Sequence, residues 1–198
     1  TETLEENFWI SPNAQSKLIV KNDFQTWQDG NYVYFDPGTN TRNAKVIFPE
    51  TAKLSEKYII EMDFALVNGN GSESEFTIFT NGSEVPDISS VSGDYILKLV
   101  STASSKTMPW IINDNAENTV VLEQETRTPV WAHMKLTVDP ETGDAALVIT
   151  QNGEEKYNSI IHMNVTNGDY VATGINFKAV KSYSRCQFDN IKIYTASQ

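Results

Sequence analysis

The sequence predicts an all-β chain, an antiparallel two-sheet β-sandwich occupying residues 1–198 as one domain. Three observations carry that prediction. Residues 57–67, KYIIEMDFALV, alternate with a period of two, so that Tyr58, Ile60, Met62, Phe64 and Leu66 form one wholly apolar face. About a dozen short segments follow the same grammar, separated by turn residues roughly every 8 to 12 positions, the spacing of sandwiches and barrels. Helical patterning is nearly absent: PETAKLSEK, at 49–57, is rich in helix formers but has room for about two turns at most, and a short connector is expected there.

The elements follow in order. Lys17 to Val20 is a short apolar run; Asn31 to Phe35 alternates Tyr32 and Tyr34 with Val33 and ends at Asp36-Pro37-Gly38; Asn43 to Phe48 stops at Pro49. After the long strand, NGNGSES turns the chain, Glu75 to Thr80 returns with Phe76 and Ile78 in phase, and Asn81-Gly82 turns it again. Tyr95, Leu97 and Leu99 alternate against Ile96, Lys98 and Val100, and a serine-rich loop leads to Met108 to Ile112, closed by Asn113-Asp114-Asn115. Trp131 to Val138 sets Ala132, Met134, Leu136 and Val138 against Trp131, His133, Lys135 and Thr137. The turn DPETG, the strand Ala145 to Thr150, the turn QNG and the strand Lys156 to Met163 follow, then Ile175, Phe177 and Ala179 in alternation. The last strand, Cys186 to Tyr194, changes phase near Asp189-Asn190, as a β-bulge does. The predicted core is Tyr58, Ile60, Met62, Phe64, Leu66, Met134, Leu136 and Phe177.

Composition narrows the function. At 198 residues, 39% of them hydrophobic, the chain can bury a substantial core without dividing. A net charge of −11 argues against nucleic acid and anionic membrane as partners, since both require an electropositive face. The single cysteine, Cys186, forms no intramolecular disulfide and reads as a small buried hydrophobe. No apolar run approaches the length of a membrane span, so no membrane insertion is expected. A polar start without an initiating Met, and acidic, cysteine-poor β composition, lead to the expectation of a chain outside the cell or on its surface, part of a larger secreted, bacterial protein; the alternative is a soluble intracellular chain. His133 and His162 belong to no paired metal-binding motif, and no nucleophile elbow, Walker or dinucleotide glycine motif occurs.

Sugar recognition is the chemistry that remains. A pyranose has apolar faces that stack on aromatic rings, and hydroxyls that suit the donors and acceptors of Asn, Gln, Asp and Glu. Aromatics in polar company are therefore the candidates: Trp27 with Gln28 in QTWQDGNY, Trp110 just before Asn113 and Asp114, Trp9 before Ser-Pro-Asn, and Tyr183 in KSYSR. Their scatter favours a pocket or short cleft over a flat strip.

Two resemblances bear on the reading. Glu61-x-Asp63 on the long strand resembles the E-x-D-x-x-E strand of the jelly-roll glucanases of the concanavalin A-like class, but the third carboxylate is missing, with Ala65 and Leu66 following. The strand from Trp131, the turn DPETG, the strand ending QNG and the terminal FDNIKIY resemble the concanavalin A-like lectin, laminin-G and glucanase jelly rolls. These resemblances imply a jelly-roll sandwich with a saccharide groove on one sheet, no catalysis, and a polysaccharide or oligosaccharide partner. Surface carbohydrate-binding domains of the starch-adherence type tilt the ligand toward a soluble α-glucan. The resemblance further implies a structural Ca²⁺ at Asp189, although no cofactor is required for binding. The alternatives are a laminin-G-like protein-binding adhesion domain and a glucanase-like glycoside hydrolase using Glu61 and Asp63.

Overall fold

The chain is described by a computed structural model over residues 8–10, 17–21, 32–36, 42–68, 73–80, 93–102, 107–124, 130–179 and 184–196, with side chains from residue 45 onward. In chain order the strands are β1 (Phe8–Ile10), β2 (Lys17–Lys21), β3 (Tyr32–Asp36), β4 (Arg42–Ile47), β5 (Tyr58–Val67), β6 (Ser74–Thr80) and β7 (Tyr95–Ser101). Then come β8 (Thr107–Ile112), β9 (Asn115–Glu123), β10 (Ala132–Asp139), β11 (Asp144–Gln151), β12 (Glu154–His162), β13 (Ala172–Ala179) and β14 (Arg185–Thr195). The first sheet has the order β1-β4-β13-β6-β7-β8-β9 and the second the order β12-β11-β10-β5-β14-β3-β2. Every neighbouring pair is antiparallel.

The long strand β5 lies at the middle of the second sheet because its apolar set faces inward along its whole length. Tyr58, Ile60, Met62, Phe64 and Leu66 join Met134, Leu136 and Phe177 in one hydrophobic cluster that spans both sheets. All eight residues predicted for the core are in it. Phe64 and Phe76, from opposite sheets, stack with centroids 5.9 Å apart. Buried polar groups clip the layers together: the Tyr58 hydroxyl donates to the Tyr170 carbonyl at 2.6 Å and accepts from the Ala172 amide at 3.0 Å. Burial pushes the Tyr58 phenol well above its ordinary range, so it stays a donor at any physiological pH. Asn68 closes another seam, its amide nitrogen donating to the Ser101 carbonyl and its oxygen accepting from the Ser184 hydroxyl.

The turns match their residues. Between β11 and β12, Asn152 and Gly153 both take positive φ, 55° and 77°, the conformation of the two-residue hairpin that Asn-Gly favours. Between β8 and β9, Asn113 and Asp114 do the same at 48° and 57°. That hairpin introduces a strand absent from the sequence reading. Only Val120 and Leu122 of β9 are buried, so its alternation is too faint to be read locally. The segment rich in helix formers holds one short 3-10 turn, Glu50–Ala52. The bulge predicted at Asp189-Asn190 is present: pairing with β5 shifts between Asp189 and Lys192, and Asn190 has φ 53°.

Candidate functional site

Along β13 the inward residues are Ile175, Phe177 and Ala179, which leaves Gly174, Asn176 and Lys178 on the outer face of the first sheet. Register extends these into cross-strand rows. Asn176 lies between Lys45 on β4 and Thr77 on β6, with Lys98 beyond on β7. The next row runs Lys178, Glu75, Val100, Ile111 and Thr119. On the other side Gly174 pairs with Phe79, which pairs with Tyr95.

Asn176 is the anomaly of this face. Its side chain is 0% exposed, and neither its Oδ1 nor its Nδ2 has a hydrogen-bond partner. A buried polar atom left unpaired costs on the order of 1–3 kcal/mol, so a hydrophobic residue would serve the fold better here. The surroundings are built around it. Thr77 is fully buried, and its hydroxyl donates to Glu75 Oε1 at 3.0 Å. The Phe79 ring lies over Gly174, where an added Cβ would fall 2.7 Å from Phe79 Cζ and 2.3 Å from the Val46 carbonyl oxygen. Lys45 holds its ammonium 5.9 Å from the centre of that ring.

The rim is held by ion pairs. Lys178 bridges to Glu73 at 3.2 Å and Lys98 to Asp114 at 2.7 Å. The Tyr95 hydroxyl donates to the same Asp114 oxygen at 2.7 Å, with the Lys98 ammonium 5.0 Å over the Tyr95 ring. Partial burial works to raise the Asp114 carboxyl, but the hydrogen bonds from Lys98 and Tyr95 outweigh it and hold the group below the ordinary carboxylate range. Burial, reinforced by the bond to Asp114, pushes the Tyr95 phenol well above its ordinary range.

The residues singled out in the sequence are distributed unevenly. Asp114 stands at the rim of this face, and Asn113 locks the turn beneath it, accepting from the Lys98 amide and donating to the Ile96 and His162 carbonyls. Trp110 corrects the expectation of an exposed platform: it is 0% exposed, in the core phase of β8 with Met108 and Ile112. Three apolar side chains in alternation outweigh the polar turn that follows them. The backbone of Trp9 pairs with Lys45, in the cross-strand row of Asn176. Trp27, Gln28 and Tyr183 lie outside the described residues. Asn176, Thr77, Phe79 and Glu75 were not singled out, although the alternation of Ile175, Phe177 and Ala179 sets Asn176 against the core.

The outer face of the second sheet carries the acids of the long strand. Asp63 is 4% exposed; its Oδ1 is 2.8 Å from His133 Nδ1, and its Oδ2 accepts from Asn190 Nδ2 at 2.8 Å. Glu61 accepts from the Tyr194 hydroxyl at 2.7 Å and lies 3.7 Å from the Lys135 ammonium. Both carboxylates are satisfied within the protein. Trp131 covers Ala65 on this face in a small cluster separate from the core. Asp189 stands opposite Asp63, and its Oδ1 accepts from the Asn190 amide beside it. Calcium requires six to eight oxygens, and among the described residues no group of three or more acidic, histidine or cysteine side chains could hold a metal. No helix among the described residues is long and apolar enough to cross a membrane.

No protein-family model matches the sequence, and no curated protein is significantly similar to it. Solved structures are similar in fold. A GH131 β-glucanase catalytic domain from Podospora anserina superposes with a TM-score of 0.58 at 12% identity, over 100% of this chain and 83% of the other. A legume lectin-like domain from Entamoeba histolytica does so with 0.56 at 8% identity, over 98% and 92%. Lectin II from Ulex europaeus gives 0.51 at 10% identity, over 95% and 92%. With two antiparallel sheets around one core, the chain has a jelly-roll sandwich, the fold that these structures share.

Proposed function

We propose that this chain is a non-catalytic carbohydrate-binding module whose site is the outer face of the first sheet, centred on Asn176. The observation that carries the reading is the Asn176 amide, buried with both polar atoms unpaired. An amide offers one acceptor and two donors, the complement of neighbouring hydroxyls on a sugar ring. Beside it the Glu75 carboxylate adds acceptor capacity, and the three lysines of the face, Lys45, Lys98 and Lys178, offset Glu73, Glu75 and Asp114. This balance suits a neutral, hydroxyl-rich ligand, and the acidic chain as a whole repels polyuronates. The fold likeness to a β-glucanase domain and to plant and protist lectins supports the same ligand class. A soluble glucan is the ligand we favour, α-linked over β-linked, bound outside the cell or at its surface. Affinity in the tens of micromolar, about −6 kcal/mol, is the expected range for a small site after ordering costs.

Catalysis is not part of the proposal, because Glu61 and Asp63 are each engaged by cationic or hydrogen-bonding partners on a face remote in topology from Asn176. Calorimetric titration with maltoheptaose, cellohexaose and oligogalacturonate tests the reading. Binding of a neutral glucan that is lost in Asn176→Leu supports it; no binding by any of them ends it.

A second reading, a protein-binding adhesion domain, draws on the exposed apolar side chains Ile111 and Val121 on β8 and β9. Affinity electrophoresis through polysaccharide gels separates the two, since retardation is expected only of a sugar binder.

A further inference from the structure

The bulge on β14 changes which of its residues face the core. Before it, Cys186 and Phe188 point inward and belong to the main hydrophobic cluster. After it the phase is reversed: Tyr194 meets Glu61 on the outer face, so Ile191 and Ile193 turn toward the first sheet. Asn190 holds the change of phase in place through its positive φ and its Nδ2, which donates to Asp63 Oδ2 at 2.8 Å. An unbulged strand would aim Asn190 and Lys192 inward instead. The two isoleucines do not close into the core that they face. Both remain half-buried, and with Val46 and Phe48 at the end of β4 and Thr51 and Ala52 of the 3-10 turn they line a cavity of about 390 Å³.

We propose that this cavity is a binding slot for a short, uncharged alkyl chain, separate from the Asn176 face and independent of the sugar-binding reading. No ionic group is recognised there, because every side chain of the lining is apolar except the Thr51 hydroxyl. Apolar burial is therefore the main term a ligand gains, and each methylene that enters adds to it. The volume lies near the lower end of the roughly 300–1,000 Å³ typical of small-molecule pockets, which suits a narrow body. The walls are mostly branched aliphatic, with Phe48 the one ring among them, so they offer no stacking platform for a planar ligand. A protein partner fits less well. The aliphatic side chains that stand out among the described residues, Ile111, Val121 and Ile160, lie elsewhere, on β8, β9 and β12. Here the apolar groups are recessed between two sheets, which stack about 10 Å apart, and a thin flexible chain enters such a gap where a flat surface does not.

The test titrates the whole chain, isotopically labelled at the isoleucine methyl groups, with n-octanol and with n-butanol below their solubility limits, and follows the methyl resonances by NMR. Saturable shifts of Ile191 and Ile193 are expected, with octanol binding at least tenfold tighter than butanol because more methylenes are buried, while Ile111 and Ile160 stay unmoved. Ala52→Phe, which fills the slot from the turn, is expected to abolish the octanol response. Ile193→Thr, which sets a hydroxyl on the wall, is expected to weaken it several-fold as read at Ile191. Both variants should keep the circular dichroism spectrum of the wild type. Shifts that rise without saturation, shifts spread equally over Ile111 and Ile160, or undiminished binding in both variants overturn the proposal.

Discussion

Replacing Asn176 by Leu separates a ligand-binding amide from a structural one by the sign of its effect on stability. The two side chains have the same number of heavy atoms branching at Cγ, but Leu is the bulkier, so at a strand interior with no exposed surface the change removes two unpaired polar groups without opening a cavity and at some overpacking cost. At roughly 1–3 kcal/mol for each unpaired buried group, relief of even part of the penalty stabilises the fold by about 2 kcal/mol. For a domain of this size that corresponds to a rise in Tm of roughly 4–8 °C. Leu also fits a strand at least as well as Asn. The assay is thermal unfolding by circular dichroism, paired with calorimetric titration of the same sample with the glucan that binds the wild type. The expected result is a more stable protein that no longer binds. A fall in Tm both here and in the smaller, strand-favouring Asn176→Val would refute the reasoning, because overpacking by Leu alone could not explain it and the amide would have to be satisfied and serving the fold.

Four further outcomes follow from the geometry. Gly174→Ala places a methyl group 2.3 Å from the Val46 carbonyl and against the Phe79 ring, so it should destabilise by about 2 kcal/mol or more in urea unfolding and weaken sugar binding through the displaced ring. Trp110→Phe creates a cavity but removes a buried, unpartnered indole N–H, leaving a net loss of about 1–2 kcal/mol and unchanged affinity by titration. The Asp114 carboxyl is held below its unfolded value, so its stabilising effect is complete above the ordinary carboxylate range and is lost as pH falls through the depressed value; in Asp114→Asn, melting temperature should fall less on acidification than in the wild type. A structural Ca²⁺ held at Asp189 should raise the melting temperature by several degrees in calcium over chelator, and an unchanged Tm removes that site.

The core was legible because period-two alternation is a local property. Tyr58 to Leu66 and Met134 to Leu136 declare their inward face without reference to anything distant. The same rule applied to Met108, Trp110 and Ile112 would have placed Trp110 inside; the polar turn at Asn113 obscured a phase that was present. What local pattern cannot reveal is which outward face is covered. Asn176 stands out of phase with Ile175 and Phe177 as any solvent-facing Asn would, and its burial depends on the neighbours that register brings from β4 and β6. The partners of Asp63 are likewise set by register, 70 residues away at His133 and 127 away at Asn190. Hence Glu61 and Asp63 could be read from sequence as a possible catalytic pair, while the groups that occupy them could not.

The contrast between the two outer faces is the stronger argument for where this protein meets its ligand. On the second sheet the acids, the histidine and the bulge asparagine close on one another, so a ligand would have to break existing bonds to be recognised there. On the first sheet the rim is equally committed, with Lys98 and Lys178 each tied to a carboxylate, but the Asn176 amide inside that rim is not. A fixed rim around an unpaired amide is pre-organised in the thermodynamic sense: much of the cost of ordering the site is met on folding, and once the protein atoms that bury it give way, ligand hydroxyls gain hydrogen bonds without breaking any that the amide already makes. On the proposed reading the same arrangement would set the specificity, because a ligand offering no hydroxyl pair at Asn176 leaves the amide as unsatisfied as it is in the free protein.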